Sequence, residues 1–218
     1  MIENAIEQVF ECYPEVLYGY TDISYSQFYT KYKSALVFAV PYTNQLSLND
    51  YSEIAFEEGI AGATDNMNII IEKIEAVFKD LLISYYIPPV AQDNEVDLVA
   101  PFSFKFAAVN AGLGWIGKND VVITEKYGSR VRLSSILIDE ILPYGQSITQ
   151  SKCPDSCSKC VDACPYKALC GEKWDIEKYR NEIINYNLCN QKRSLYIEKY
   201  GRKNACGLCM VACPYGKN

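Results

Sequence analysis

Residues 153–166 read CPDSCSKCVDACPY, and residues 205–215 read ACGLCMVACPY. The first stretch has the cysteine spacing C-x3-C-x2-C-x3-C-P and the second has C-x2-C-x3-C-P, so that each ends in Ala-Cys-Pro-Tyr. The chain of 218 residues contains 10 cysteines, and nine of them lie within the last 66 residues. This repeat and this shift in composition predict a separate cysteine-rich module that begins near residues 148–152.

The spacing of the repeat is that of bacterial ferredoxins with two [4Fe–4S] clusters. Closely spaced thiolates on a tight loop can bind three corners of one cluster, while the cysteine before the proline starts a segment that leads to the other cluster. The proline ends the local turn and leaves no amide that needs a partner. We therefore expect one cluster to be bound by Cys153, Cys157, Cys160 and Cys213.

The second cluster should be bound by Cys164, Cys206 and Cys209 and by one more thiolate from the intervening chain. Cys189 is the preferred fourth ligand, because a helical pattern that starts at Asp175 could carry it back across the module.

Three alternatives remain open for these cysteines. Cys170 could replace Cys189 as a ligand, although it follows Cys164 closely and has no counterpart in the repeat. Four cysteines could instead bind structural zinc, whose motifs usually contain two separated C-x2-C pairs without the C-P ending. A disulfide framework would require an oxidising compartment.

The amino terminus and the hydropathy pattern favour a cytoplasmic location. Residues 1–15 are acidic and lack the basic and apolar regions of a secretory signal. The sequence contains no run of 18 apolar residues, so it predicts no membrane span. We therefore expect a cytoplasmic protein with reduced thiols and no membrane partner.

The net charge of −6 is unevenly distributed, with −12 on residues 1–100 and +6 on residues 101–218. Two oxidised clusters with four thiolates each would carry roughly −2 apiece and would balance part of the positive charge. The charge therefore does not by itself require a nucleic acid partner. The sequence contains no histidine, so proton transfer must use Tyr, Lys, Asp, Glu or Cys.

Residues 111–120 read AGLGWIGKND and match the glycine spacing of two nucleotide-binding motifs, G-x-G-x-x-G and G-x-x-x-x-G-K. Both motifs need a strand before the glycines and a helix after them. The apolar pattern here predicts a helix over residues 102–110 and two strands around residues 127–129, which is the reverse order. The sequence therefore argues against a nucleotide site.

The order of AGLGWIGKN, YGSRVRL and the two cysteine motifs resembles the epoxyqueuosine reductases and, more distantly, the reductive dehalogenases. The resemblance covers residues 101–216, about half of the chain. It implies a nitroreductase-like α/β domain and electron transfer through two [4Fe–4S] clusters to a base-off cobalamin. The reaction it implies is removal of the epoxide oxygen in the last step of queuosine synthesis on tRNA. By this resemblance, the residues that would lie along the corrinoid are Gly112, Gly114, Trp115, Gly117, Lys118 and Asn119.

The chain also departs from that family. Full-length members have a longer N-terminal region and a C-terminal helical-repeat extension, so we expect part of the tRNA surface that the resemblance implies to be missing from these 218 residues. Their first cysteine motif is one residue shorter than the present one, which contains residues 154–156 between its first two cysteines. An ungapped count puts Leu98 at the position of their acidic proton donor, and Asp97 is one residue away. Asp97, Lys118 and Tyr127 are therefore the candidate proton donors.

The first hundred residues show core patterns and no catalytic constellation. We expect a helix over residues 2–10, a buried strand over 35–40, a helix over 65–82 capped by Thr64 or Asp65, and a strand over 85–91. The predicted fold is α+β, with a nitroreductase-like α/β sandwich over residues 1–147 and a two-cluster, ferredoxin-like module over 148–218.

Two functional hypotheses follow from these patterns. The first is a reductase that passes electrons through two clusters to a corrinoid or a substrate, with tRNA as a possible partner. The second is a non-catalytic electron carrier or corrinoid-handling accessory protein. In both cases a ferredoxin or flavodoxin could supply the electrons, and the basic segment 198–203 could help to dock such an acidic donor.

Two complete clusters predict about eight irons and eight acid-labile sulfides per chain after oxygen-free purification. Metal analysis by mass spectrometry and a sulfide assay measure both quantities. A colourless, zinc-loaded protein would contradict the prediction.

Overall fold

A computed structural model of the chain describes residues 2–89, 100–195 and 206–216. Within them the fold mixes helices and sheets, as predicted. The described helices are α1 (Ile2–Glu11), α2 (Glu53–Asp80), α3 (Phe104–Asn110), α4 (Lys159–Asp162), α5 (Arg180–Ile183), α6 (Tyr186–Ser194) and α7 (Leu208–Val211). The described strands are β1 (Leu17–Asp22), β2 (Ser34–Pro41), β3 (Tyr85–Tyr86), β4 (Trp115–Ile116), β5 (Val122–Ile123) and β6 (Val131–Ile138).

The described residues divide into two compact units that are each built from separated stretches of chain. The first unit comprises the described parts of Met1–Val40, Thr64–Leu113 and Arg132–Ser147. The second comprises the described parts of Pro41–Ala63, Gly114–Val131 and Ile148–Asn218. The cysteine-rich segment therefore shares its unit with two stretches from earlier in the chain.

The first unit contains a four-stranded sheet with the strand order β1-β2-β6-β3. The apolar run 35–40 forms the central part of β2, and all six of its residues are buried, as expected for a strand covered on both faces. β1 pairs antiparallel with β2 in the register Leu17↔Ala39, and β3 pairs antiparallel with β6. The strand predicted from residue 85 is observed at Tyr85–Tyr86, and residues 90–91 of that prediction lie outside the described residues.

Helix α2 begins 12 residues before the predicted helix, so the prediction of a cap at residues 64–65 is wrong. Gly59 and Gly62 lie within α2, and both allow a neighbouring segment to approach the helix. A Cβ on Gly59 would lie 2.1 Å from Oδ1 of Asn44, and one on Gly62 would lie 2.6 Å from Cγ2 of Thr43. Close packing therefore overrides the low helix propensity of glycine at this point.

The second unit is built from short elements around the cysteine motifs. β4 and β5 form a two-stranded antiparallel sheet, and β5 and β6 belong to different sheets. The continuous helix predicted from Asp175 is wrong: α5 and α6 are separated by Ile184, which is extended and forms a bridge with Leu169. Asn185 then caps α6, its Oδ1 accepting the Leu188 amide at 3.0 Å.

Over the parts of the chain that the structure describes, no helix combines the length and the apolar character required to cross a bilayer.

Helix α2 offers a matched test of the packing in the first unit, because Ile74 is fully buried and Ile69 is 46% exposed. We expect Ile74→Ala to lower the free energy of unfolding by about 2–5 kcal/mol, since it leaves a cavity in the core. Ile69→Ala should lower it by less than about 1 kcal/mol. Urea unfolding followed by circular dichroism measures both, and equal losses would contradict the assigned burial.

Candidate functional site

Four cysteines from two distant segments line one pocket in the second unit. They are Cys153, Cys157 and Cys160 from the first motif and Cys213 from the second. The pocket has an empty volume of about 300 Å³, which includes some open solvent. We call it the first thiol pocket. Its other lining residues are Lys118, Asn119, Ile123, Pro214 and Tyr215.

The thiols of this pocket lie close enough together to influence one another's pKa. Burial, together with like-charge repulsion from the neighbouring sulfurs of Cys153, Cys213 and Cys157, raises the pKa of Cys160 to about 11. Burial likewise raises the pKa of Cys213. Burial disfavours the thiolate forms of Cys160 and Cys213, and positive charge such as that of a metal would stabilise them.

A second group of sulfurs lies beside the first. Burial raises the pKa of Cys209, and the nearby sulfurs of Cys206, Cys189, Cys160 and Cys164 add to this effect in that order. We call Cys164, Cys189, Cys206 and Cys209 the second thiol group. Because the sulfur of Cys160, which belongs to the first thiol pocket, also raises the pKa of Cys209, the two sets of cysteines adjoin each other.

Cys189 therefore lies with the second thiol group, and Cys170 does not. Helix α6 carries Cys189. Burial raises the pKa of its thiol, and the charge and hydrogen bond of Arg193, one turn later on that helix, partly offset this. Cys170 is exposed, and its thiol faces the Asn181 carbonyl oxygen at 4.0 Å. Cys12, which belongs to the first unit, is also exposed.

The two motifs have the same local structure, which explains how they bring their sulfurs together. Cys160 lies on the one-turn helix α4 and Cys209 on the one-turn helix α7, and these two helices pack against each other. Gly207 precedes α7 with a φ of 56°, and a Cβ there would lie 1.9 Å from the Phe56 ring. Only glycine fits this position without rearrangement.

The thiol geometry bears on the two alternatives to an iron–sulfur centre. All ten cysteines are free, so a disulfide framework is wrong. Within the described residues, no group of three or more Cys, Asp or Glu side chains is arranged to hold a single metal ion. Zinc–thiolate bonds are about 2.3 Å long, so zinc needs its ligands to converge on one point. Here the sulfurs surround a space instead.

The glycines of the loop at residues 111–120 pack against the protein itself. Gly112 has a φ of 76°, and a Cβ there would lie 2.8 Å from the Gln146 carbonyl oxygen. A Cβ on Gly114 would lie 2.2 Å from the Ile123 carbonyl oxygen, and one on Gly117 would lie 2.3 Å from Cδ1 of Ile123. These contacts account for the glycines without a nucleotide, and they leave a corrinoid contact as a prediction.

Polar residues after these glycines hold the cysteine segments. Nζ of Lys118 donates hydrogen bonds to the carbonyl oxygens of Asp155 at 2.9 Å and of Cys157 at 3.0 Å. Nδ2 of Asn119 donates to the Cys209 carbonyl oxygen at 3.3 Å. Lys118 and Asn119 are 6% and 3% exposed, so these bonds are shielded from water.

The YGSR segment makes equivalent contacts with the second motif. Oγ of Ser129 donates to the Met210 carbonyl oxygen at 3.0 Å. Nη2 of Arg130 donates to the carbonyl oxygens of Tyr215 at 3.1 Å and Gly216 at 2.9 Å. Together, Lys118, Asn119, Ser129 and Arg130 form what we call the carbonyl clamp. The sequence motifs contain all four residues but did not indicate this role.

Two buried N–H donors beside the thiols have no hydrogen-bond partner among the described residues, namely Nε1 of Trp115 and Nη1 of Arg130. The Trp115 ring packs with Cys153 and Cys213. Arg130 interacts electrostatically with Cys213, although burial is the main influence on the Arg130 pKa and lowers it. Buried unpaired donors are costly, and an anionic, sulfur-rich group held by Cys153 and Cys213 would offset that cost.

The other predicted site residues lie as follows. Asp97 and the segment 198–203 are outside the described residues. Tyr127 is half-buried, and its backbone amide donates to Oγ1 of Thr124 at 3.0 Å.

No protein family model matches the chain. Over 194 residues it is 29% identical to an epoxyqueuosine reductase of Listeria monocytogenes, an alignment that covers 85% of this chain and 48% of that protein. Against a crystal structure of an epoxyqueuosine reductase with an epoxyqueuosine-modified tRNA-Tyr stem loop, the TM-score is 0.61 at 16% identity, covering 100% of this chain and 67% of the other. Against a catabolic reductive dehalogenase, the TM-score is 0.53 at 16% identity, and the match covers 86% of this chain and 26% of the other.

The chain spans about half or less of the length of the curated relatives it matches. The structural likenesses establish a shared fold, and the sequence matches point to the family that the motifs had indicated. By both comparisons this chain is similar to the epoxyqueuosine reductases.

Proposed function

We propose that the chain is an iron–sulfur reductase of the epoxyqueuosine reductase type, which passes electrons through two [4Fe–4S] clusters. The observation that carries the proposal is the first thiol pocket, where three thiols of one motif and one of the other surround a common space. This is the crossed ligand pattern of two-cluster ferredoxins. The adjoining second thiol group supplies the complementary set.

The ligand assignment follows from this placement. One cluster would be held by the four cysteines of the first thiol pocket and the other by the second thiol group. When bound, each cluster supplies reversible one-electron transfer. The protein contributes the buried surroundings, and the carbonyl clamp keeps both cysteine segments in place. The unpaired N–H groups of Trp115 and Arg130 would donate to cluster or ligand sulfur.

The finer fold assignment is also part of the proposal. We infer a nitroreductase-like sandwich within residues 1–147 and a ferredoxin-like module within 148–218. The mixed α and β fold and the shared fold with the epoxyqueuosine reductases support this. The second compact unit adds residues 41–63 and 114–131 to the cysteine-rich segment.

The substrate is inferred from the relatives. Loss of an epoxide oxygen as water consumes two electrons and two protons, and two one-electron centres together carry that number of electrons. A tRNA that bears epoxyqueuosine is therefore the proposed substrate, and a ferredoxin or flavodoxin is the proposed donor. Cobalamin is proposed from the resemblance alone, because the glycine loop is explained by internal packing.

The contacts of Lys118 do not favour a role as proton donor. Both carbonyl oxygens that its ammonium bonds belong to the first cysteine segment, which suits a structural charge better than a proton donor. Asp97 stays the predicted acid from the resemblance.

An activity assay tests the proposed reaction. Iron-loaded protein, cobalamin and a low-potential reductant should convert epoxyqueuosine in tRNA to queuosine, seen as the loss of one oxygen atom by nucleoside mass spectrometry. Cys213→Ser should slow this at least about 100-fold, because it removes a cluster ligand. Cys12→Ser, at an exposed thiol of the first unit, is the matched control and should retain activity. No conversion by fully loaded protein would exclude this substrate and leave the electron-carrier hypothesis.

The ligand assignment has its own test in the pair Cys189→Ser and Cys170→Ser. Cys189 lies with the second thiol group and Cys170 is exposed. We expect iron in Cys189→Ser to fall from about eight toward about four per chain, and iron in Cys170→Ser to stay at about eight. Iron analysis and electron paramagnetic resonance of the reduced proteins measure this. The reverse outcome would assign Cys170 as the ligand.

A further inference from the structure

We propose that Lys118 is a positioning residue for the first thiol pocket, where it fixes the Cys153–Cys157 loop and makes the group bound there easier to reduce. The inference rests on the proposed function, because it concerns a cluster held by these cysteines. It assigns Lys118 a role distinct from proton donation.

The loop that Lys118 holds contains the extra residue of the first motif. Nζ of Lys118 bonds the backbone carbonyl oxygen of Asp155, which lies between the first two cysteines, and that of Cys157, which ends this loop. On the outer side, Nζ of Lys173 contacts the exposed Asp155 carboxylate at 3.0 Å. Only the Lys118 bonds are buried, so we expect them to contribute more to the loop than the surface ion pair does.

The charge of Lys118 lies inside the protein and next to the thiols. Its side chain lines the pocket together with all four cysteines and is 6% exposed as a residue. Its hydrogen-bond partners are neutral carbonyl oxygens. The exposed Asp155 carboxylate interacts electrostatically with Lys118, but among the described residues no ion pair within 4.0 Å forms between them. A buried ammonium without an anion is costly, and an anionic group in the adjoining pocket would offset that cost.

The charge of Lys118 affects the reduction potential of a group bound in the first thiol pocket. Reduction adds one negative charge to the group in the pocket. A buried cation beside it stabilises the reduced form more than the oxidised form, and little water screens the interaction. Lys118 therefore raises the reduction potential of the first cluster, and its removal lowers that potential.

The chain provides a matched control in Lys152. Lys152 belongs to the same unit and its ammonium lies 5.3 Å from the Trp115 ring centroid, but its side chain is 53% exposed and pairs with Glu125 at 3.3 Å. Lys118→Met and Lys152→Met thus make the same chemical change near the same pocket. They differ in burial and in the bonds to the cysteine loop.

The experiment is a redox titration of the iron-loaded full chain, followed by electron paramagnetic resonance at equal iron content. We expect Lys118→Met to reduce the ratio of reduced to oxidised first cluster about tenfold at fixed potential, a downward shift of about 59 mV for one electron. The second cluster in that variant and both clusters in Lys152→Met should keep their potentials. Unchanged potentials in loaded Lys118→Met, or an equal shift in Lys152→Met, would overturn the inference.

Two further variants cover the case in which Lys118→Met fails to retain iron. Lys118→Gln removes the charge and keeps an amide donor, and Lys118→Arg keeps the charge. A loaded Lys118→Gln with a lowered potential supports the inference, and one with unchanged potentials refutes it. If neither neutral variant holds iron and Lys118→Arg does, the charge is needed for loading, and the inference stands when Lys118→Arg keeps the wild-type potential of the first cluster. Iron loss in Lys118→Arg as well would refute it. Wild-type protein without iron would instead refute the proposed function itself.

Discussion

The carbonyl clamp is the interaction on which the rest of the second unit depends. Cysteine loops with two or three residues between thiols cannot satisfy their own backbone carbonyl groups by regular secondary structure. Lys118 and Asn119 satisfy carbonyl groups near Cys157 and at Cys209, and Ser129 and Arg130 satisfy those of the second motif. Leaving one such buried acceptor unpaired costs about 1–3 kcal/mol. The clamp thus fixes two segments of low intrinsic stability in one mutual arrangement.

The sequence predicted those features of the site that depend on local spacing. The C-x2-C-x3-C-P repeat requires its thiols to share a tight loop, and a crossed ligand pattern is how such repeats are known to work. Cys213 lines one pocket with Cys153, Cys157 and Cys160, and the binding of a cluster by these four cysteines stays a prediction. The buried strand at residues 35–40 was equally readable, because a continuous apolar run needs cover on both faces.

The features that could not be predicted depend on contacts between distant residues. Gly59 and Gly62 disfavour a helix locally, yet α2 runs through them because residues 43 and 44 pack against its surface. The helical pattern after Asp175 failed because Ile184 pairs with Leu169 as an isolated bridge. The role of Lys118 was hidden for the same reason, since its partners lie 37 and 39 residues further along the chain.

The first thiol pocket also has a consequence for biosynthesis. Three of its sulfurs belong to residues 153–160, whereas the fourth, Cys213, is translated 60 residues after Cys153. Because chains emerge from the ribosome at about 5–20 residues per second, the nascent polypeptide presents an incomplete thiol set for several seconds. During that interval the early sulfurs depend on cellular reductants for protection against oxidation. A metal centre that needs all four thiols would therefore be completed only after Cys213 has been translated.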